Sequence, residues 1–268
     1  MSKRIAVIVI HGMGSQDIGF AEPMITEINN RISGLSKNPN DIAWKPIYWS
    51  DVLEERQIAY LRDAQRNHNI DFIGLRRFVI TALGDATAYQ KVMSDKNTTY
   101  EEIHERVGEK IKNLYENDLN NQACPLIILA HSLGGHIMSN YIWDMQKTQP
   151  SNLSSFEKFE HLSGMITFGC NIPLFTLAYE DIKPIKFPGS ALSNDIKSKA
   201  KWLNFYDPDD ILGYPLKAIN DAYNAVVNED IAINAGSIFT SWNPVAHSGY
   251  WTDNGLTKPV AKYISEFL

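Results

Sequence analysis

The run RIAVIVI at residues 4–10 leaves this chain few ways to fold. It is dominated by β-branched residues and has no polar alternation, which reads as a strand covered on both faces. Such a strand belongs in a parallel sheet, whose crossover connections place helices on either side. The rest of the sequence supplies the alternation. IAWKPIYWS (42–50), PLIILA (125–130), GMITFGC (164–170) and KWLNFY (201–206) read as further strands, and DIAINAGSIFT (230–240) reads as extended. Pro46 marks the second strand as an edge or a bulge. Between them lie helical patterns: 20–33, where Phe20, Met24, Ile28 and Ile32 recur every four residues, then two pieces within 51–93, then 99–116, 133–147 and 257–268. Residues 183–200 read as loop. The pattern predicts an α/β fold over 1–268, with a mostly parallel central sheet and helices on both faces.

Composition narrows the partners. The 268 residues are 44% hydrophobic, enough for one large core. Net charge is −6 without strong basic clusters, which argues against nucleic acid. The longest apolar runs fall well short of a bilayer span, so no transmembrane segment is expected. The start of the chain reads as a strand running into a glycine turn rather than as a leader. Cys124 and Cys170 do not make a disulfide framework, and reduced thiols in a cytoplasmic protein are expected.

In a parallel sheet, ligands bind beyond the carboxyl ends of the strands. Four segments directly follow strands here: HGMG (11–14), HSLGG (131–135), FGCNIP (168–173) and YDPDD (206–210). The second is the most pointed. A strand-to-helix elbow at Ser132 lifts its hydroxyl above the sheet, and the elbow needs small neighbours two positions away, supplied by Ala130 and Gly134. The helix N-terminus favours negative charge, so the Leu133 N–H can hold a forming oxyanion. Ser is also a favoured helix cap, the plainer reading of the same stretch. HGMG can supply a second donor from Met13, with His11 orienting the loop. It lacks the spacings of a phosphate-binding turn.

A serine needs a base. On such an elbow the partners follow in the order Ser, acid, His. Of the seven histidines only His161 and His247 come after the helix that follows Ser132, and His161 precedes a strand, at the wrong end of the sheet. His247 is the candidate base. Asp207, Asp209 and Asp210 are the candidate acids. Asp210 is favoured, since Asp207 still belongs to the strand end and Asp209 follows Pro208 in the turn. Together with His247 and Asp253 the three aspartates also offer a metal-site reading, which leaves the elbow and HGMG without a purpose.

These segments resemble the α/β-hydrolase superfamily, in particular its lipase and esterase branch. VIVIHGMG is similar to the oxyanion-loop strand of bacterial lipases, LAHSLGG to their elbow, and YDPDDILGYPL and HSGYW to the acid and histidine segments of lipase-like proteins, including intracellular phospholipases of the DDHD type. ITFGCNIPLF is similar to their strand–Gly–Ser–Pro–Leu segment, with Cys170-Asn171-Ile172-Pro173 replacing the short Ser-Pro. The resemblance implies a serine hydrolase without cofactor or metal. Ser132 attacks an ester carbonyl, His247 moves the proton, Asp210 orients His247, and the Met13 and Leu133 N–H groups hold the oxyanion. It implies a small-molecule or lipid ester as substrate. Thioesters, amides and acyl transfer are alternatives on the same triad, and a non-catalytic binding module is the alternative of another class. Residues 51–93 stand where many such enzymes carry a lid. Phe72, Ile73, Leu75, Phe78, Val79 and Leu83 could cover an apolar ligand, but apolar residues at helical spacing are usually core, which favours packing on the sheet.

Overall fold

A computed structural model describes residues 2–14, 16–68, 71–90, 98–177, 179–235 and 246–268; the side chains of Phe78 and of residues 246–248 lie outside that description. Six strands form one sheet: β1 (Ile5–Ile10), β2 (Ile42–Ile47), β3 (Leu126–His131), β4 (Leu162–Phe168), β5 (Lys201–Tyr206) and β6 (Glu229–Ala232). Their order is β2-β1-β3-β4-β5-β6. The expectation was a mostly parallel sheet, and every pairing among the described residues is parallel.

Side-chain alternation sorts the core into two layers. Ile5, Val7 and Val9 of β1, with Ile127 and Leu129 of β3, meet Met24, Ile28 and Ile32 of α1 (Glu22–Gly34) and Leu256, Val260 and Ile264 of α9 (Asn254–Ser265). Ala6, Ile8 and Ile10, with Leu126, Ile128 and Ala130, point the other way. They meet Ile103, Val107 and Ile111 of α4 (Thr99–Asn113) and Ile137 and Met138 of α5 (Leu133–Thr148). The uninterrupted apolar run at 5–10 is therefore two alternating apolar faces, one for each helical layer.

Several boundaries differ from the sequence reading, each for a local reason. β2 is an edge strand, as Pro46 implied, but it ends at Ile47, because Trp49 turns away to bond His11. α4 begins on a capping box between Thr98 and Glu101 and ends at Asn113, where a π-helical turn (Leu114–Asp118) takes over. The extended stretch expected over 230–240 is a strand only over β6, and residues 236–240 lie outside the described residues. The loop-like 183–200 contains a short helix, α7 (Asn194–Lys199), capped by Ser193. Two more short helices, α6 (Ile172–Thr176) and α8 (Asp221–Val226), span too few turns to show a period in sequence.

The two helical pieces expected within 51–93 are α2 (Asp51–His68) and α3 (Ile73–Ala88), which pack against each other. Phe72, Leu75, Val79 and Leu83 are exposed, Phe72 by 77%. The helical spacing was real, but of the five residues of this stripe whose side chains are described, four are exposed. Among the described residues no helix is long and apolar enough to cross a membrane.

The last helix locks the far side of the sheet. The buried Tyr263 hydroxyl donates to the Ser163 carbonyl (2.8 Å) and accepts the Lys201 N–H (3.0 Å), joining β4 to β5 at their starts. Tyr263→Phe strands both backbone groups and is expected to lower the unfolding free energy by about 1–3 kcal/mol. Urea denaturation of the two proteins with indistinguishable midpoints would remove this bridge from the account.

Candidate active site

The chain leaves β1 for the edge strand β2 on one side, then crosses to β3 on the other. That reversal opens a crevice beyond the carboxyl ends of β1 and β3, the place where open α/β sheets bind ligands. The two segments flanking it are HGMG and the Ser132 elbow.

Ser132 has φ 51° and ψ −125°, between the end of β3 and the first residue of α5. A non-glycine residue held there costs on the order of 1–3 kcal/mol. Its N–H donates to the Phe168 carbonyl at the end of β4 (3.0 Å), and its carbonyl accepts from Gly135. Its side chain makes no capping bond to α5, so the helix-cap reading does not describe it. The small neighbours have the work expected of them. A Cβ on Gly134 would stand 2.5 Å from the His11 carbonyl oxygen, so only glycine lets α5 approach β1 this closely. A Cβ on Gly12 would stand 2.5 Å from Ser132 Cβ and 3.0 Å from its hydroxyl oxygen. The glycine turn after β1 thus lies directly against the serine. Met13 is half-buried beside it, and Leu133 is buried at the first position of α5, where helical N–H groups lack intrahelical acceptors. Ser132 itself has no exposed surface.

His11 orients this turn. Its Nε2 accepts the Trp49 main-chain N–H (3.1 Å), which fixes the proton on Nδ1, and Nδ1–H donates to the Gly12 carbonyl (2.8 Å). The Trp49 indole N–H returns a bond to the His11 carbonyl (3.0 Å), and the two rings stack at 5.0 Å. Burial lowers the imidazole pKa from 6.5 to about 4, so the ring is neutral.

The three aspartates after β5 take different positions. Asp209 is exposed. Asp207 is buried, and both its oxygens hold backbone, Oδ1 the Asp209 N–H (2.9 Å) and Oδ2 the Ala235 N–H (2.7 Å). Asp210 is also buried. Its Oδ1 accepts from the Leu212 N–H (2.9 Å) and its Oδ2 from the Tyr250 hydroxyl (3.0 Å). Tyr250 belongs to the HSGYW segment, three residues after His247. It proves to be a link, since its hydroxyl also accepts the Asp207 N–H (2.8 Å).

His247 stands in a 3-10 helix (Ala246–Thr252), one turn before Tyr250, and its side chain lies outside the described residues, as does Trp242. Trp251 of the same helix meets His131, the residue before Ser132, edge-on at 5.3 Å, and Phe168 at 5.4 Å. The backbone carrying His247 is therefore docked at the strand ends beside the elbow. His161 directly precedes β4, at the opposite edge. Among the described residues no group of three or more His, Cys, Asp or Glu could hold a metal ion. Asp253 of that reading caps α9 through the Gly255 N–H. Cys124 and Cys170 are free and buried, and burial pushes both thiols up to about 12.

Two features had no signal in sequence. A cavity of about 380 Å³ lies beside α5, lined by Tyr89, Tyr100, His136, Asn140, Phe175 and Tyr223 among others. His136 is one helical turn beyond Ser132. The second feature is Asn171, fully buried after β4, whose amide oxygen and nitrogen have no partner among the described residues.

No protein-family model matches the chain, and no curated protein matches it either.

The neutral state of His11 has a pH consequence. Its folded pKa lies below the unfolded one, so its contribution is complete above pH 6.5 and is lost as pH falls toward about 4. That gap corresponds to about 3 kcal/mol. Wild type should lose up to that much more stability than His11→Gln between pH 7 and pH 4. Parallel stability curves for the two proteins would contradict the buried neutral ring.

Proposed function

We propose that this chain is a serine hydrolase of the α/β-hydrolase type that cleaves carboxylic esters. The observation that carries the reading is the Ser132 backbone at φ 51°, pressed against Gly12 of the turn after β1. A strained residue is kept where a fold needs its side chain in one place, and the neighbouring turn offers what a tetrahedral oxyanion requires.

In this reading an ester carbonyl carbon settles over Ser132 Oγ. His247 removes the hydroxyl proton as Oγ attacks, then passes it to the departing alcohol. Negative charge developing on the carbonyl oxygen is met by the Met13 and Leu133 N–H groups and by the N-terminal end of α5. Asp210 holds the His247 imidazole in the productive tautomer. Water, activated by the same histidine, then releases the acid and restores Ser132. Asp207 is the weaker candidate acid: both its oxygens hold backbone N–H groups, of its own loop and of Ala235, whereas Oδ2 of Asp210 bonds the Tyr250 side chain on the helix that carries His247. Asp209 is exposed, and an exposed carboxylate orients an imidazole poorly. The cavity beside α5 offers space and aromatic walls for part of an ester one turn from the serine.

Ser132 has no exposed surface, so the residues around it must yield before an ester reaches Oγ. That same burial is what favours a second reading, a hydrolase-like fold that binds without turnover. A fluorophosphonate probe decides between them. Wild type should take the label and hydrolyse short acyl esters, and Ser132→Ala should lose on the order of a thousandfold or more in both while remaining folded. A folded wild type that takes no label would favour the binding module. Asp210→Asn should lower kcat far more than Asp207→Asn or Asp209→Asn, since an amide favours the wrong histidine tautomer. The reverse order would move the acid to Asp207. A panel of esters, thioesters and amides of increasing acyl length separates the remaining chemistries.

A further inference from the structure

One buried carboxylate outside the triad touches the same turn. Asp85, on the last turns of α3, is 2% exposed. Its Oδ2 accepts the main-chain N–H of Gly14 (2.8 Å), and its Oδ1 accepts the side-chain amide of Gln57 on α2 (2.7 Å). Gly14 has φ +90°, a conformation other residues rarely adopt, so the turn is bent where Asp85 grips it. On its other side the turn is held by His11, whose Nδ1–H reaches the Gly12 carbonyl. Met13 lies between the two anchors.

A loop placed this way has little else to fix it. Gly12 and Gly14 bring no side chains, and the turn lies beyond the end of β1, so sheet hydrogen bonds do not reach it. An N–H that must point at a developing charge needs its plane set in advance. A carboxylate is a stronger acceptor than a neutral oxygen, and it is used here despite the cost of burying it. That cost shows in the acid's own chemistry: burial raises the Asp85 pKa from 3.8 to about 6, against the bonds from Gly14 and Gln57. The charged group of α2 that acts on it is Glu54, which raises it further and itself lies 3.9 Å from Arg77 of α3. His11, the titratable group of the turn, is neutral.

We propose that Asp85 is a positioning residue of the active site: by holding the Gly14 N–H from the α2–α3 pair, it sets the turn that presents the Met13 N–H beside Ser132. The proposal rests on the serine-hydrolase reading and makes α2 and α3 part of the catalytic support, with Gln57 aligning the carboxylate. It also assigns the inner face of α3 a task separate from the exposed Phe72–Leu83 stripe.

The test uses the full chain with two variants. Asp85→Asn keeps an oxygen for Gly14 and, after Gln57 turns its amide, a second hydrogen bond. Asp85→Ala keeps neither. Ester kinetics and fluorophosphonate labelling are read at pH 8, and the Gly14 amide proton is followed by NMR from pH 5 to 7.5. The expected result for Asp85→Ala is a loss of about 10- to 100-fold in kcat and in labelling rate with KM changed less than about twofold, the size of effect a small misplacement of a catalytic group produces. Asp85→Asn should recover most of that loss. The Gly14 amide should titrate near pH 6 in wild type and stay flat in Asp85→Asn. Should Asp85→Ala fail to fold, Gln57→Ala replaces it, with a smaller loss expected in kcat alone. Wild-type kcat and labelling in a folded Asp85→Ala, or a loss confined to KM, would overturn the role. A Gly14 amide that titrates as expected in a wild type that takes no label would leave the contact standing and overturn the serine-hydrolase reading beneath it.

Discussion

The contact between the turn after β1 and the elbow after β3 is the constraint on which the rest of the site depends. β1 and β3 are neighbours in register, with Ile10 beside Ala130, so the two segments leaving them start side by side. They fit only because Gly12 and Gly134 have no side chain: either Cβ would come within 2.5 Å of the opposite segment. The strain at Ser132 is sustained by this packing and by its N–H bond to Phe168. A buried sheet with a helical layer on each face gives the elbow a rigid base, since the strands beneath it cannot shift without disturbing both layers.

The scaffold was easy to read because its signals are local and repeated. Covered parallel strands announce themselves as runs such as IAVIVI and LIILA, and α1 and α5 show their apolar period directly. The elbow was legible too, since Ser132, Gly134 and Leu133 are adjacent in sequence. The partners of each loop were not. Asp85 sits 71 residues from Gly14 and Gln57 another 28 from Asp85, on helices whose sequence showed only an apolar stripe. Trp49 was read as strand, yet its indole and main chain both serve His11. The outward face of α3 was equally hidden, because period alone says that a helix has an apolar side and not which way it turns.

The loops at the carboxyl edge share one construction. Beyond the strands, backbone N–H groups have no ladder partner and must find acceptors elsewhere. Here buried carboxylates, and the half-buried Asp230, supply them. Asp85 takes Gly14, Asp207 takes Asp209 and Ala235, Asp210 takes Leu212, and Asp230 takes Leu216 and Lys217. Tyr250 then ties the Asp207 and Asp210 arrangements to the helix that carries His247. Loops pinned in this way have their geometry set by polar contacts rather than by large apolar anchors.

Asn171 departs from that construction. It follows β4 at the same edge and is as deeply buried as the aspartates, yet its amide holds no backbone group among the described residues. An amide left so would cost more than an apolar residue of its size, which folding alone would favour at the position. Its neighbour Cys170 packs where a Cβ on Gly135 would lie 2.8 Å from the sulfur, so the segment is pressed against the start of α5. The loop that bears Asn171 therefore shares the elbow's surroundings, while its buried amide, unlike the aspartates, holds no backbone group among the described residues.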